Sequence, residues 1–376
     1  MTGRRILLVT EEWAGSGHRM AAEALAEALN EMRPTAYIKV VSGLKTASPA
    51  LREISRFFYL QMLRYNPGLW QKMHDNDKKW AALLKKPLAV WLSKRIIREL
   101  IDRERPDIVV ATHAYCFSAL AEAKRKGPKK FRLIGVPTDF CVHRFWMHPE
   151  TDAYVVAHEQ LTDAIRADRR LERAEVLEYG IPIRRTFYSS ALQDKVYWKE
   201  QLGLDPRLFT VLISGGEGGY GSMEEVIRVL LREEEPLQVI AVTGKNHELQ
   251  EKLDRLTSLC SPVHTVIVRG YEHEIWKWMS AADVFITKPG GISIAEALAV
   301  KTPLVLFRPL PGQEQRNLTF LLGNKAAFHA RHADEIGKIV RQLRDSPEDR
   351  KEMLQRMASL GKPDSTEQIA RYLLQL

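Results

Sequence analysis

Cysteine is scarce in this chain of 376 residues: Cys116, Cys141 and Cys260 are an odd number without paired spacing. That excludes a disulfide framework and a cysteine-based zinc site, and it makes a reducing compartment the expectation. No run approaches the roughly 18 apolar residues of a spanning helix. The opening Met1 to Thr10 offers a charged pair followed only by ILLV, too short for a secretory signal, so the expected location is cytoplasmic. Internal repeats and low-complexity segments are absent, and no D-x-D-like acidic cluster stands beside a glycine loop. His143 and His148 are five positions apart, poor spacing for one helix face, so no metal site is expected. The third glycine of a dinucleotide fingerprint is also missing. Counted from Gly15 and Gly17 that position is Met20, and no acidic residue ends a clear second strand near Val41, which disfavours an NAD enzyme.

What is present is ordinary in bulk and uneven in detail. The 45% hydrophobic and 27% charged content suits a globular protein, long enough for two domains with separate cores. The net charge of +9 is local: Leu51 to Arg98 holds 11 Lys/Arg against 3 Asp/Glu. Trp70, Lys78, Lys79, Trp80, Lys85, Lys86 and Trp91 fall in that segment, among Phe57, Phe58, Tyr59 and several leucines. Cations and tryptophans on amphipathic helices fit a membrane interface, where rings enter the headgroup level and cations meet anionic lipid. A helical hairpin with a solvated basic face has the same composition. No nucleic-acid module accompanies these residues.

Strands, glycine loops and helices alternate along the chain. Arg4 to Thr10 reads as a strand and Glu11 to Gly17 as the loop at its carboxyl end, with a helix over His18 to Leu29. Ile108 to Thr112, Phe131 to Val136, Asp152 to Ala157 and Val176 to Tyr179 continue a parallel sheet. Phe209 to Ile213, Leu237 to Val242, Thr265 to Val268, Asp283 to Thr287 and Leu304 to Phe307 form a second, and the chain beyond Asn317 reads as helical. Two doubly wound Rossmann-like domains facing a cleft are therefore expected, an α/β architecture. Residues 1–185 form the first domain, with residues 44–98 inserted. Residues 196–355 form the second, and 356–376 a last helix.

The chemistry concentrates at strand ends. His18 sits at a helix amino terminus, where the dipole opposes protonation and keeps the imidazole neutral, able to act as a general base or to cap the helix. Asp139 follows Pro137-Thr138 at the end of the strand Phe131 to Val136 and is a second candidate base, or a group that orients the acceptor hydroxyl. Ser214-Gly215-Gly216 precedes a helix near Ser222, and Lys288-Pro289-Gly290-Gly291 precedes one near Ile292. Bare backbone at a helix start suits a diphosphate. Glu296, about a turn and a half into its helix, can accept hydrogen bonds from both ribose hydroxyls, although a helical glutamate is more often solvated. Its alanine and isoleucine neighbours favour a packed helix. Gln313 and Glu314, beyond Pro311-Gly312, can reach sugar hydroxyls or merely cap a helix at Asn317.

The stretch KPGGISIAEALAVKTPLVLFRPLPGQEQRN resembles the donor-site signature of the monogalactosyldiacylglycerol synthase and processive diacylglycerol glucosyltransferase family, glycosyltransferase family 28. Gly15-Ser16-Gly17-His18 with Ala21-Ala22, and Thr138-Asp139-Phe140 with His143, Trp146 and His148, resemble its other two motifs in the same order. The resemblance implies a GT-B fold, a UDP-sugar donor, a diacylglycerol acceptor, inversion at the anomeric carbon and no metal or other cofactor. It implies diphosphate contacts from backbone at Gly17, Ser214, Gly215, Gly216, Gly290 and Gly291, donor contacts from Lys288, Pro289 and Ile292, and uracil against Gly270-Tyr271. It also implies acceptor or membrane contacts near His143, Trp146 and His148, and a place on the inner face of the cell membrane. A lipid-II-type N-acetylglucosaminyltransferase, a sugar-nucleotide 2-epimerase and a non-catalytic UDP-sugar sensor share the donor logic.

Overall fold

The computed structural model describes residues 4–11, 15–65, 91–128, 130–258 and 263–376. They divide into two compact units. One takes the chain up to Arg184 together with Pro311–Gln313 and Asp364–Leu376; the other takes Arg185–Leu310 and Glu314–Pro363.

The first unit is built on six parallel strands, β1 (Arg5–Thr10), β2 (Tyr37–Ser42), β3 (Ile108–Ala111), β4 (Arg132–Gly135), β5 (Ala153–Val155) and β6 (Glu175–Leu177), in the order β2-β1-β3-β4-β5-β6. The central runs RILLVT and IVVA do not alternate because helices cover both faces, and Ile6, Leu7, Leu8, Val9, Val109 and Val110 have no exposed surface. The helix Gly17–Met32 lays Ala21, Ala22, Leu25, Ala28 and Leu29 on this sheet at helical spacing. The last helix, Ser365–Gln375, joins the same core through Ile369, Ala370 and Leu373. Its first turn is pinned by Ser365 donating to the Ile181 carbonyl at 2.7 Å and Thr366 to the Ile183 carbonyl at 2.6 Å.

The second unit repeats the plan with β7 (Phe209–Ser214), β8 (Leu237–Val242), β9 (Thr265–Arg269), β10 (Val284–Thr287), β11 (Leu304–Phe307) and β12 (Phe328–Ala330), ordered β12-β11-β10-β7-β8-β9. In both sheets the chain leaves one strand for a neighbour on one side and later returns to pair on the other. These reversals lie between β1 and β3 and between β7 and β10, and in open parallel sheets a ligand crevice forms at the carboxyl ends of such strands.

Three sequence-based expectations are corrected. β2 is a full strand, paired Arg5↔Tyr37 to Thr10↔Ser42. The chain after Asn317 is not wholly helical, since Phe328–Ala330 forms edge strand β12 on β11. Gln313 and Glu314 open the helix Gln313–Gly323 rather than lying in a turn before it, with Gly312 at φ 95° immediately ahead. Strands β2 and β12 lie at sheet edges and hide less apolar surface, so their sequence pattern is weak.

Candidate functional site

At the reversal of the first sheet the ends of β1, β3 and β4 bring three segments together. Ser16 offers no side-chain cap to the helix Gly17–Met32, and half-buried His18 is its second residue. The Nδ1 of His18 lies 3.0 Å from the carbonyl oxygen of Thr112 and 2.6 Å from Oγ1 of Thr138. Thr112 Oγ1 donates to the carbonyl of residue 18 at 2.9 Å and lies 2.9 Å from Thr10 Oγ1. Burial, acting first, pushes the His18 imidazole below its ordinary value, while the Asp139 carboxylate and the Thr112 carbonyl oppose it. His18 and Asp139, paired as candidates from sequence, are thus electrostatic neighbours. His113 stands edge-on to His18, ring centroids 4.5 Å apart, and caps the helix Ala114–Lys126 by accepting the Tyr115 N–H at 3.2 Å.

His143, Trp146 and His148, expected against acceptor or membrane, are 6%, 3% and 8% exposed. His148 Nε2 lies 2.9 Å from Ser118 Oγ, and Trp146 packs on Phe117 with centroids 5.1 Å apart. These two side chains belong to the unit's interior and tie the loop after β4 to the helix Ala114–Lys126, because large rings gain more from the core than from water. Trp91 is 45% exposed, with the Arg95 guanidinium 4.6 Å from its ring centroid. Trp70, Lys78, Lys79, Trp80, Lys85 and Lys86 lie outside the described residues.

Glu11 escapes the sequence reading. Placed directly after β1 and wholly buried, it accepts the Leu44 N–H at 2.6 Å, the Cys116 thiol at 2.9 Å and the Ser42 hydroxyl at 3.0 Å. Burial raises its carboxyl above the ordinary value, with the hydrogen bonds and Arg52 opposing. A folded-state value above the unfolded one means stability present at low pH and lost as pH rises from the ordinary glutamate range through the raised value. Gln at this position keeps a carbonyl for Leu44 and Cys116, and its amide can donate to Ser42. Glu11→Gln is therefore expected to be at least as stable as the wild type at pH 7 and less pH-dependent in thermal melts from pH 5 to 8. A melting temperature lower by about 4 °C or more, roughly 1 kcal/mol in a domain of this size, would show that the charge is needed.

At the reversal of the second sheet, the loop after β7 closes on itself: Tyr220 N–H donates to the Gly215 carbonyl at 3.1 Å and Gly219 N–H to that of Gly216 at 3.1 Å. A Cβ at Gly215 would strike the backbone of Tyr220. The loop after β8 locks onto it through Lys245 N–H to the Glu217 carbonyl at 2.7 Å, and Gly244, at φ 63°, would otherwise drive a Cβ into Glu217 and Gly216. Beside them Gly290 precedes the helix Gly291–Val300 and supplies no capping side chain, so backbone amides at its start are left for an anion. Asn317, buried, donates to the Pro289 carbonyl at 3.0 Å and holds that loop. Lys288 is ion-paired with Glu314, whose other oxygen accepts the Leu310 N–H at 2.8 Å. Ile292 is half-buried one turn from Glu296, which is 8% exposed and thus no solvated surface glutamate. Gly270 and Tyr271 directly follow β9, with Tyr271 39% exposed and the Lys245 ammonium 5.3 Å from its ring centroid.

Among the described residues no cluster of three or more His, Cys, Asp or Glu side chains is placed to hold a metal ion, and no helix is long and apolar enough to cross a membrane.

The comparisons with known proteins cover nearly the whole chain. Residues 18–183 match the family described as monogalactosyldiacylglycerol (MGDG) synthase, and residues 210–369 the glycosyltransferase family 28 C-terminal domain. A processive diacylglycerol beta-glucosyltransferase of Bacillus licheniformis is 28% identical over 368 residues, 98% of this chain and 94% of the relative. Its counterpart in Bacillus cytotoxicus is 27% identical over 99% of this chain and 93% of its own. Among solved structures, MurG of Acinetobacter baumannii superposes with TM-score 0.67 at 14% identity, covering 99% of this chain and all of that one. A UDP-glucosyltransferase of Polygonum tinctorium superposes with TM-score 0.61 at 14% identity, covering all of both chains. At such identities these structures establish the fold, GT-B. With both halves matched in order, the chain belongs to the monogalactosyldiacylglycerol synthase branch of the family 28 glycosyltransferases.

Proposed function

We propose that this protein transfers a hexose from a UDP-sugar to the hydroxyl of diacylglycerol with inversion, producing a β-glycosyl-diacylglycerol. The observation that carries the reading is His18, an imidazole whose burial disfavours the cation, set beside Asp139 at a sheet reversal. Such a group accepts a proton from a hydroxyl. The uncapped start of the helix Gly291–Val300 and the backbone of Ser214, Gly215 and Gly216 suit the diphosphate, Glu296 the ribose, and Gly270-Tyr271 the base. Lys288 neutralises Glu314 in the free protein and is near enough to Gly290 to turn to phosphate, a contact that would free the Glu314 carboxylate for sugar hydroxyls. Gln313 stands next to it in the same first turn. No metal or other cofactor enters this reading, in which helix amino termini and Lys288 meet the charge of the leaving diphosphate.

The acceptor is buried in lipid, so the enzyme must reach a bilayer. The segment 51–98 supplies a surplus of positive charge, and Ile54, Phe57 and Trp91 are 52%, 60% and 45% exposed. We infer a peripheral protein on the inner, cytoplasmic face of an anionic membrane. Each basic residue at such a surface contributes on the order of 1 kcal/mol, screened over a Debye length of about 10 Å at moderate salt.

Pure protein incubated with each UDP-sugar and vesicles of phosphatidylglycerol and diacylglycerol is expected to yield a glycosyl-diacylglycerol. Flotation should show strong binding to anionic vesicles, weak binding to neutral ones, and incomplete release by salt. Replacing Lys78, Lys79, Lys85 and Lys86 with Gln should weaken flotation and turnover while sparing UDP affinity. Appearance of an epimerised sugar with no glycolipid from any donor would identify the epimerase reading instead, and UDP-sugar bound but left intact the sensor reading.

A further inference from the structure

We propose that Thr138 is a positioning residue for proton transfer, acting with the Thr112 carbonyl to hold His18 in the Nδ1–H tautomer so that Nε2 takes the acceptor's proton. The inference rests on the glycosyl-transfer reading and adds to it the residue that orients the base. Nδ1 of His18 faces two oxygens, the Thr112 carbonyl at 3.0 Å and Thr138 Oγ1 at 2.6 Å. A carbonyl oxygen only accepts, so the proton belongs on Nδ1, and the hydroxyl accepts a share of the same N–H. Both partners are rigid. Thr138 and Thr112 are 3% and 0% exposed, and the Thr112 hydroxyl holds the main chain of residue 18 while its carbonyl holds the ring. Ring and backbone of His18 are thus fixed by Thr112, the residue directly after β3, and the tautomer is secured by a residue 120 positions further along the chain.

During transfer the acceptor O–H gives its proton to Nε2 and the acceptor oxygen bonds the anomeric carbon. The bond from that carbon to the diphosphate oxygen breaks, and its electron pair departs with UDP. His18 becomes an imidazolium with protons on both nitrogens, and the hydrogen bonds from Nδ1 strengthen as the charge appears. Asp139 favours that cation. His113, edge-on to the ring and influenced in turn by His143, is held well below the ordinary histidine range by burial and adds no competing positive charge.

The test uses the whole protein with Thr138→Val and Thr138→Ser. Valine keeps shape and loses the acceptor; serine keeps the hydroxyl. Thr138→Val is expected to lower kcat about tenfold, the upper end of the net contribution of one intramolecular hydrogen bond. The KM for UDP-sugar and the melting temperature should stay near wild type. The acid limb of the kcat profile should shift to lower pH, because an acceptor that favours the imidazolium has gone. Thr138→Ser should restore both. Nitrogen-15 spectra of the imidazole in the wild type should show Nδ1 protonated and Nε2 bare at neutral pH. A wild type with the proton on Nε2, a valine variant with unaltered kcat and pH profile, or a serine variant as impaired as valine would each overturn the proposal. In an active transferase those results leave the glycosyl-transfer reading intact. A wild type that transfers no sugar overturns that reading and with it the role of Thr138, whichever tautomer the spectrum shows.

Discussion

His18→Ala is expected to lower turnover by a factor of about 10² to 10⁴, the usual contribution of a positioned general base, with UDP affinity nearly unchanged. The alcohol of diacylglycerol is a poor nucleophile until its proton leaves, and in the proposed reaction the neutral imidazole takes that proton. Burial lowers the His18 value, so above the shifted value the base form prevails and below it activity falls. The acid limb of the wild-type kcat profile is therefore expected below the ordinary histidine value of about 6.5. Asp139 supports the imidazolium by charge, so Asp139→Asn should weaken turnover less than His18→Ala and move the acid limb further down in pH. The comparison assigns the base. If Asp139→Asn were the more damaging change and His18→Ala retained turnover, the proton would belong to Asp139. Loss of UDP binding in His18→Ala would instead mark His18 as a phosphate contact.

The parts of the fold that were legible in sequence are those where one interaction dominates. β1, β3, β7 and β10 show as unbroken apolar runs because both faces of a central parallel strand are covered, and the glycine loops at their ends show because no strand interior tolerates them. The burial of Glu296 was legible too, since alanine and isoleucine around it indicate a packed helix. Edge strands were harder. FHA at 328–330 has three residues and no alternation, so only pairing with β11 makes it a strand. Partnerships made through the fold leave no local trace: Thr138 meets His18 across 120 residues, and Glu11 meets Cys116 across 105. The glycines after β7 mislead in part. Gly215 is required where its own loop closes on the backbone of Tyr220, and Gly244, after β8, where two loops pass too closely for a side chain, whatever ligand the loops bind.

Glu296→Ala is expected to weaken UDP binding by about 1.5 to 3 kcal/mol, the range for hydrogen bonds to a charged group, or about 10- to 150-fold in Kd. Glu296 is the sixth residue of a helix that begins uncapped at Gly291, so a diphosphate on the first amides places the nucleoside near this carboxylate. At 8% exposure the carboxylate is shielded from water that would otherwise compete for its oxygens, and each oxygen can accept from one ribose hydroxyl. Glu296→Gln keeps one acceptor and the shape, and should fall between wild type and alanine. The partner can be identified by a double comparison. If Glu296 holds the ribose, 2′-deoxy-UDP binds the wild type more weakly than UDP does, and the difference shrinks in Glu296→Ala, because the alanine has already removed the same hydrogen bond. Calorimetric titration of both ligands against both proteins supplies the four affinities. Equal UDP affinity in wild type and Glu296→Ala would remove Glu296 from the nucleotide site. A loss that is the same for UDP and 2′-deoxy-UDP would leave it in the site but assign its carboxylate to the loop rather than to the 2′-hydroxyl.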